Sequence, residues 1–200
     1  MLAVLLWSLS TAHAKASDAT YDNAGDWLLL LSGGITGLVL HEAGHVTFDL
    51  IMNNKPVLRP VSLGPLPFFA IAPTGIESQQ ELYTAAMMGF FVEAVYTELI
   101  FANHPDLRMH HKPFLEGMLL LHFALDLGYA ITGIAGIGPR ESDVNSMARA
   151  ANLSPATVGT MLALPLVFDL LRYLNPGLRN RALWVGASSR WLMFGGALLL

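Results

Sequence analysis

The sequence predicts an all-α membrane protein, a polytopic bundle of four to five transmembrane helices with a short strand-like insertion after the first. Three observations carry this. Of 200 residues, 54% are hydrophobic and only 13% charged, too little charge to cover the surface of a soluble domain. Several apolar stretches reach or approach the ~20 residues that a helix needs to cross hydrocarbon. One domain of this length cannot bury that many helices on all sides, so lipid must cover much of them.

The elements follow in order. Residues 1–14 form a short apolar stretch ending in Ala12-His13-Ala14. This is a small-x-small pattern that reads as a signal peptide, although no positive segment precedes it. Residues 15–26 are a polar linker, and residues 27–200 form the transmembrane domain. The first span runs from Trp27 to about Ile51, with Asp26 as its cap, and its Gly33, Gly34 and Gly37 allow close helix approach in lipid.

The proline-rich stretch Val57–Phe69 is too interrupted for a helix and suits an irregular strand or hairpin. Such backbone cannot face lipid, so it belongs at the surface or against a cavity. Pro73-Thr74-Gly75 makes a turn, and Ser78 with Glu81 forms a capping box for a second span from about Leu82 to Ala102. His104-Pro105-Asp106 ends it.

The third span runs from Phe114 to about Ile137, and a loop covers Gly136–Arg140. A short amphipathic segment from Glu141 to Asn152 comes next. Ser154-Pro155 opens the fourth span, Ala156 to about Leu174. A weaker fifth runs from Ala182 to Leu200.

A net charge of −4 without any basic run excludes a nucleic-acid partner. Absence of cysteine excludes disulfides, thiolate metal sites and cysteine nucleophiles. Lys and Arg are spread over all the connections, so the positive-inside rule gives no orientation.

The chemistry concentrates in His41-Glu42-Ala43-Gly44-His45, an H-E-x-x-H pattern. Four residues is close to one helical turn, so both imidazoles leave one face and can bind one zinc ion. Glu42 is then placed to take a proton from water that the ion has made acidic. Three ionisable side chains in one turn of an apolar membrane segment are costly and mark function by default.

A catalytic zinc takes three protein ligands and leaves one position open. Candidates for the third are Glu93 and Glu98 on the second span, and His122 and Asp126 on the third. Pattern alone does not choose among them. Glu93 shares a helix face with Gly89 and Thr97, and can serve as ligand, as acceptor for a histidine N–H, or as a second acid. Asp169 and Arg172 read as a local ion pair. Asp143 reads as a solvated cap.

With these motifs the chain resembles the site-2 protease family of intramembrane zinc metalloproteases. The residues that carry the likeness are His41–His45, the stretch from Asn54-Lys55-Pro56-Val57 to Ser62-Leu63-Gly64-Pro65, Gln80-Glu81-Leu82 leading to Gly89, and Leu125-Asp126-Leu127-Gly128. It covers roughly residues 27–136. The later motifs depart from the family pattern: Phe90 and Glu93 stand where the family has proline and asparagine, and Leu127 separates Asp126 from the glycine.

The resemblance implies a zinc peptidase of the bacterial inner membrane with His41, His45 and Asp126 as ligands, Glu93 or His122 being the alternatives, and Glu42 as catalytic base. Its substrate would be a membrane-spanning or membrane-bound protein. A diverged, non-catalytic membrane protein that keeps the metal for structure or partner binding is the rival.

Overall fold

The computed structural model describes residues 21, 23–63, 66–76, 78–175, 177 and 179–199. The expected signal peptide, and the linker as far as residue 20, lie outside the described residues. The chain is an all-α polytopic bundle: α1 (Ala24–Ile51), a hairpin of β1 (Lys55–Leu63) and β2 (Leu66–Thr74), α2 (Gln79–Asn103), α3 (Pro113–Ala135), the short α4 (Asp143–Ala150), α5 (Pro155–Leu174) and α6 (Arg179–Leu199). Four helices, α1, α2, α3 and α5, are long and apolar enough to cross a membrane. The weaker fifth stretch forms the helix α6, which is not among these four.

Local chemistry explains the helix starts. Ser78 and Ser154 accept from the backbone N–H groups of Glu81 and Thr157 at 3.1 and 3.0 Å, as expected from the capping patterns. Helix α1 starts three residues before the expected position. Asn23 caps it, accepting from the Asp26 N–H at 3.0 Å, and Asp26 sits in the first turn. Gly136 ends α3 at φ 67°, the left-handed conformation that suits a glycine stop. The proline-rich segment is an antiparallel hairpin in register from Lys55↔Thr74 to Leu63↔Leu66.

The bundle exposes many large apolar side chains and buries a set of ionisable ones. Leu28, Leu31, Ile35 and Val39 on α1, Leu127, Ile131 and Ile134 on α3, and Trp184 and Trp191 on α6 are exposed. His41, His45, Asp49, Glu93, His122, Asp126, Asp169, Arg172 and Arg190 are buried. That inversion is stable only where lipid replaces water around the bundle.

Helix α1 packs mainly on α3 and α2, α3 on α5, and α4 on α2. An apolar cluster draws together Tyr83, Met87 and Phe90 of α2, Val144 and Met147 of α4, and Leu162 of α5.

The α1–α3 crossing depends on bare backbone. A methyl group on Gly117 would lie 2.0 Å from the Leu30 carbonyl oxygen, and one on Gly33 would lie 1.9 Å from that of Phe114. Gly117→Ala must push the two helices apart, because the obstruction is backbone. We expect a loss of about 1–3 kcal/mol, read as a lowered midpoint in SDS titration of the purified protein.

Candidate metal centre

His41 and His45 lie one turn apart on α1, with their rings buried against α2. Their tautomers follow from their neighbours. His45 Nδ1 is 2.7 Å from the Ala85 carbonyl oxygen, so it carries the proton and donates. His41 Nδ1 is 3.2 Å from Glu93 Oε1, a short contact without the alignment of a full hydrogen bond. The two Nε2 atoms stand 3.1 Å apart; that of His45 is left as a lone pair, and that of His41 is a lone pair in the tautomer whose Nδ1 proton faces Glu93.

The third member is Asp143, whose Oδ2 is 3.6 Å from each Nε2. Two lone pairs and a carboxylate oxygen converge with no donor among them. Electrostatically, that arrangement calls for a cation. Ligands at 2.0–2.1 Å from a tetrahedral zinc ion lie ~3.3 Å from one another, so edges of 3.1, 3.6 and 3.6 Å fit one ion.

Gly89 of α2 forms the wall of this space. A methyl group there would fall 2.5 Å from His41 Nε2 and 2.6 Å from His45 Nε2. The Tyr129 ring stacks on His41 at 6.2 Å and 15°.

The structure departs here from two expectations. Asp126 does not join His41 and His45; it groups with Glu93 and His122 on the far side of His41. Asp143 is no solvated cap. Ser142 is the cap, accepting from Asn145, while Asp143 begins α4 and its side chain is only 17% exposed.

The reason lies in the packing of α4. Val144 and Met147 bury into the α2 face that carries Tyr83, Met87 and Phe90, and this turns the first residue of α4 towards the histidines. The sequence signal was an amphipathic helix too short to span, placed between two spans. Asp49 was also overlooked. It repeats the four-residue spacing after His45 and is fully buried, with neither carboxylate oxygen partnered.

The other candidates form a second constellation. His122 Nε2–H donates to Asp169 Oδ2 at 3.3 Å, while its Nδ1 faces Glu93 Oε2 at 3.6 Å and Asp126 Oδ2 at 3.7 Å. Arg172 forks onto Glu98 at 2.7 and 2.9 Å and reaches Asp169 at 3.2 Å, the expected local pair. Arg190 of α6 closes the network on both carboxylates.

A cavity of about 210 Å³ leads to the first group. His45, Asp49 and Asp143 line it together with the exposed Arg59 of β1, Arg140 and Arg149. Glu42, the residue after His41, is half-buried and has no hydrogen bond or ion pair among the described residues. It stands in the field of His41, His45 and Asp143.

Fold and site together define a helical, polytopic membrane protein with a two-histidine, one-carboxylate group buried in its core. No protein-family model, characterised protein or solved structure matches this chain.

Proposed function

We propose that the chain is a zinc-dependent peptidase that hydrolyses peptide bonds of membrane-spanning or membrane-bound proteins. The observation that carries this reading is the convergence of the His41 and His45 Nε2 lone pairs with Asp143 Oδ2, beside an unpaired Glu42. His41, His45 and Asp143 would hold the ion, with Asp143 in the role that the site-2 protease resemblance gives to Asp126. When bound, zinc supplies the Lewis acidity that polarises a carbonyl and acidifies water.

The chain's own residues do the rest. The Ala85 carbonyl keeps His45 Nδ1 protonated and so orients that ring, and Glu93 stands beside His41 Nδ1. Glu42 accepts the proton of the attacking water and returns it to the leaving amine.

His45 lies six residues before the end of α1, ~9 Å along a helix axis, so the site is within the span yet reachable through the cavity. In the hairpin each strand has one partner, and among the described residues both outer edges are unpaired. Arg59 and Ile71 bring the hairpin to the cavity. An extended substrate segment adds to such an edge through main-chain hydrogen bonds. Four candidate spans suit a multi-pass protein, and the site-2 protease resemblance is what supports the bacterial inner membrane as its location.

The test uses purified protein in liposomes with a transmembrane peptide as substrate. Cleavage should stop on chelation with 1,10-phenanthroline and return with Zn2+. Asp143→Asn should lower zinc affinity at least tenfold, whereas Asp126→Asn should leave the zinc at His41 and His45 in place. Cleavage that survives complete removal of metal would sink the proposal.

A further inference from the structure

We infer that the second constellation, Glu93, His122 and Asp126, is a separate site for a divalent cation, deep in the bundle and distinct from the His41–His45–Asp143 group. One ligand atom from each of the three residues lies within 4.8 Å of the others. All three side chains are nearly inaccessible, Glu93 entirely so.

The proton positions carry the argument. His122 Nε2–H donates to Asp169, whose charge is held by Arg172 and Arg190. A neutral His122 then presents the lone pair of Nδ1 to Glu93 Oε2 and Asp126 Oδ2, two further acceptors. Separations of 3.6 and 3.7 Å are too long for hydrogen bonds, but they suit two ligands on either side of one ion.

Both Glu93 oxygens, Asp126 Oδ1 and His122 Nδ1 are buried without a hydrogen-bond partner, as are the Tyr96 hydroxyl and Thr97 Oγ1 one turn beyond Glu93. So many buried acceptors are rarely left unsatisfied.

Charge leads to the same conclusion. Glu93, Glu98, Asp126 and Asp169 face two guanidinium groups, Arg172 and Arg190. With the imidazoles neutral, two negative charges remain on this group, whose side chains are buried apart from the part-exposed Glu98, and buried unpaired charge is strongly disfavoured. One divalent cation neutralises them. Two carboxylates and one imidazole make a harder donor set than that of the first group, suited to Mn2+ as well as Zn2+. Glu93 links the sites, with Oε1 towards His41 and Oε2 towards His122.

Counting bound ions tests this. The full chain in detergent micelles is stripped with chelator, saturated separately with Zn2+ and with Mn2+, desalted and measured by elemental analysis. Saturation with Zn2+ should give two ions per chain. Asp126→Asn and His122→Gln should each hold one, as should His45→Ala, and the double variant His45→Ala/Asp126→Asn none. With Mn2+, the His45→Ala variant should still bind one.

A wild-type count that never exceeds one ion overturns the inference, and this reading needs no variant to fold. A second ion that survives Asp126→Asn belongs elsewhere and overturns it too. Ion counts do not depend on turnover, so the result stands whether or not the protein cleaves peptides.

Discussion

Glu42→Gln should leave zinc content and thermal stability unchanged and lower peptide cleavage by about 10²–10⁴-fold, the usual contribution of a positioned general base. Glutamine is nearly isosteric with glutamate, and Glu42 has no hydrogen bond or ion pair to lose among the described residues. The substitution removes only the capacity to accept a proton. Cleavage is measured on a labelled transmembrane peptide in liposomes, and zinc by elemental analysis on the same preparation. A variant that retains zinc and cuts at the wild-type rate would remove Glu42 from the mechanism. If neither protein cuts, while both bind the same membrane partner, the chain is a non-catalytic membrane protein and the metal serves structure or partner binding.

A single methyl group at Gly89 should weaken metal binding roughly ten- to a hundredfold, the consequence of about 1–3 kcal/mol of overpacking. The effect should fall on the site and spare the fold. At Gly89 the atoms in the way are the tips of two imidazoles, His41 Nε2 and His45 Nε2, which can swing aside. At Gly117 the obstruction is the Leu30 backbone, which cannot.

Gly89→Ala is therefore expected to keep its unfolding midpoint within error while zinc affinity drops, and Gly117→Ala to do the reverse. Competition titration with a chromophoric chelator, beside SDS unfolding, separates the two. Unchanged affinity in Gly89→Ala would mean that the two Nε2 atoms do not point into the space that Gly89 leaves.

How much of this was legible in the sequence depends on the reach of each interaction. The His41–Glu42–His45 turn could be read directly because the helical period places i and i+4 on one face wherever the helix goes. The spans, the serine caps and the hairpin followed from equally local causes: hydropathy, capping oxygens and proline. Glu93 was a candidate through the helix face it shares with Gly89 and Thr97, and it lies against His41.

The third group at the first site was not legible, because it depends on docking. Asp126 sits in an apolar span and Asp143 in a polar, amphipathic segment, and nothing in either segment says which one meets the histidines. Val144 and Met147 decide that by burying against Tyr83, Met87 and Phe90 of α2.

By itself, then, the sequence determined an all-α membrane bundle and one turn of helix bearing two histidines and a glutamate, since these rest on periodicity and solvent preference within single segments. Only the tertiary structure decided that Asp143 completes that turn, and that Asp126 stands with Glu93 and His122. Those pairings arise where separate helices pack, and the side-chain shapes that set the packing come from distant parts of the chain.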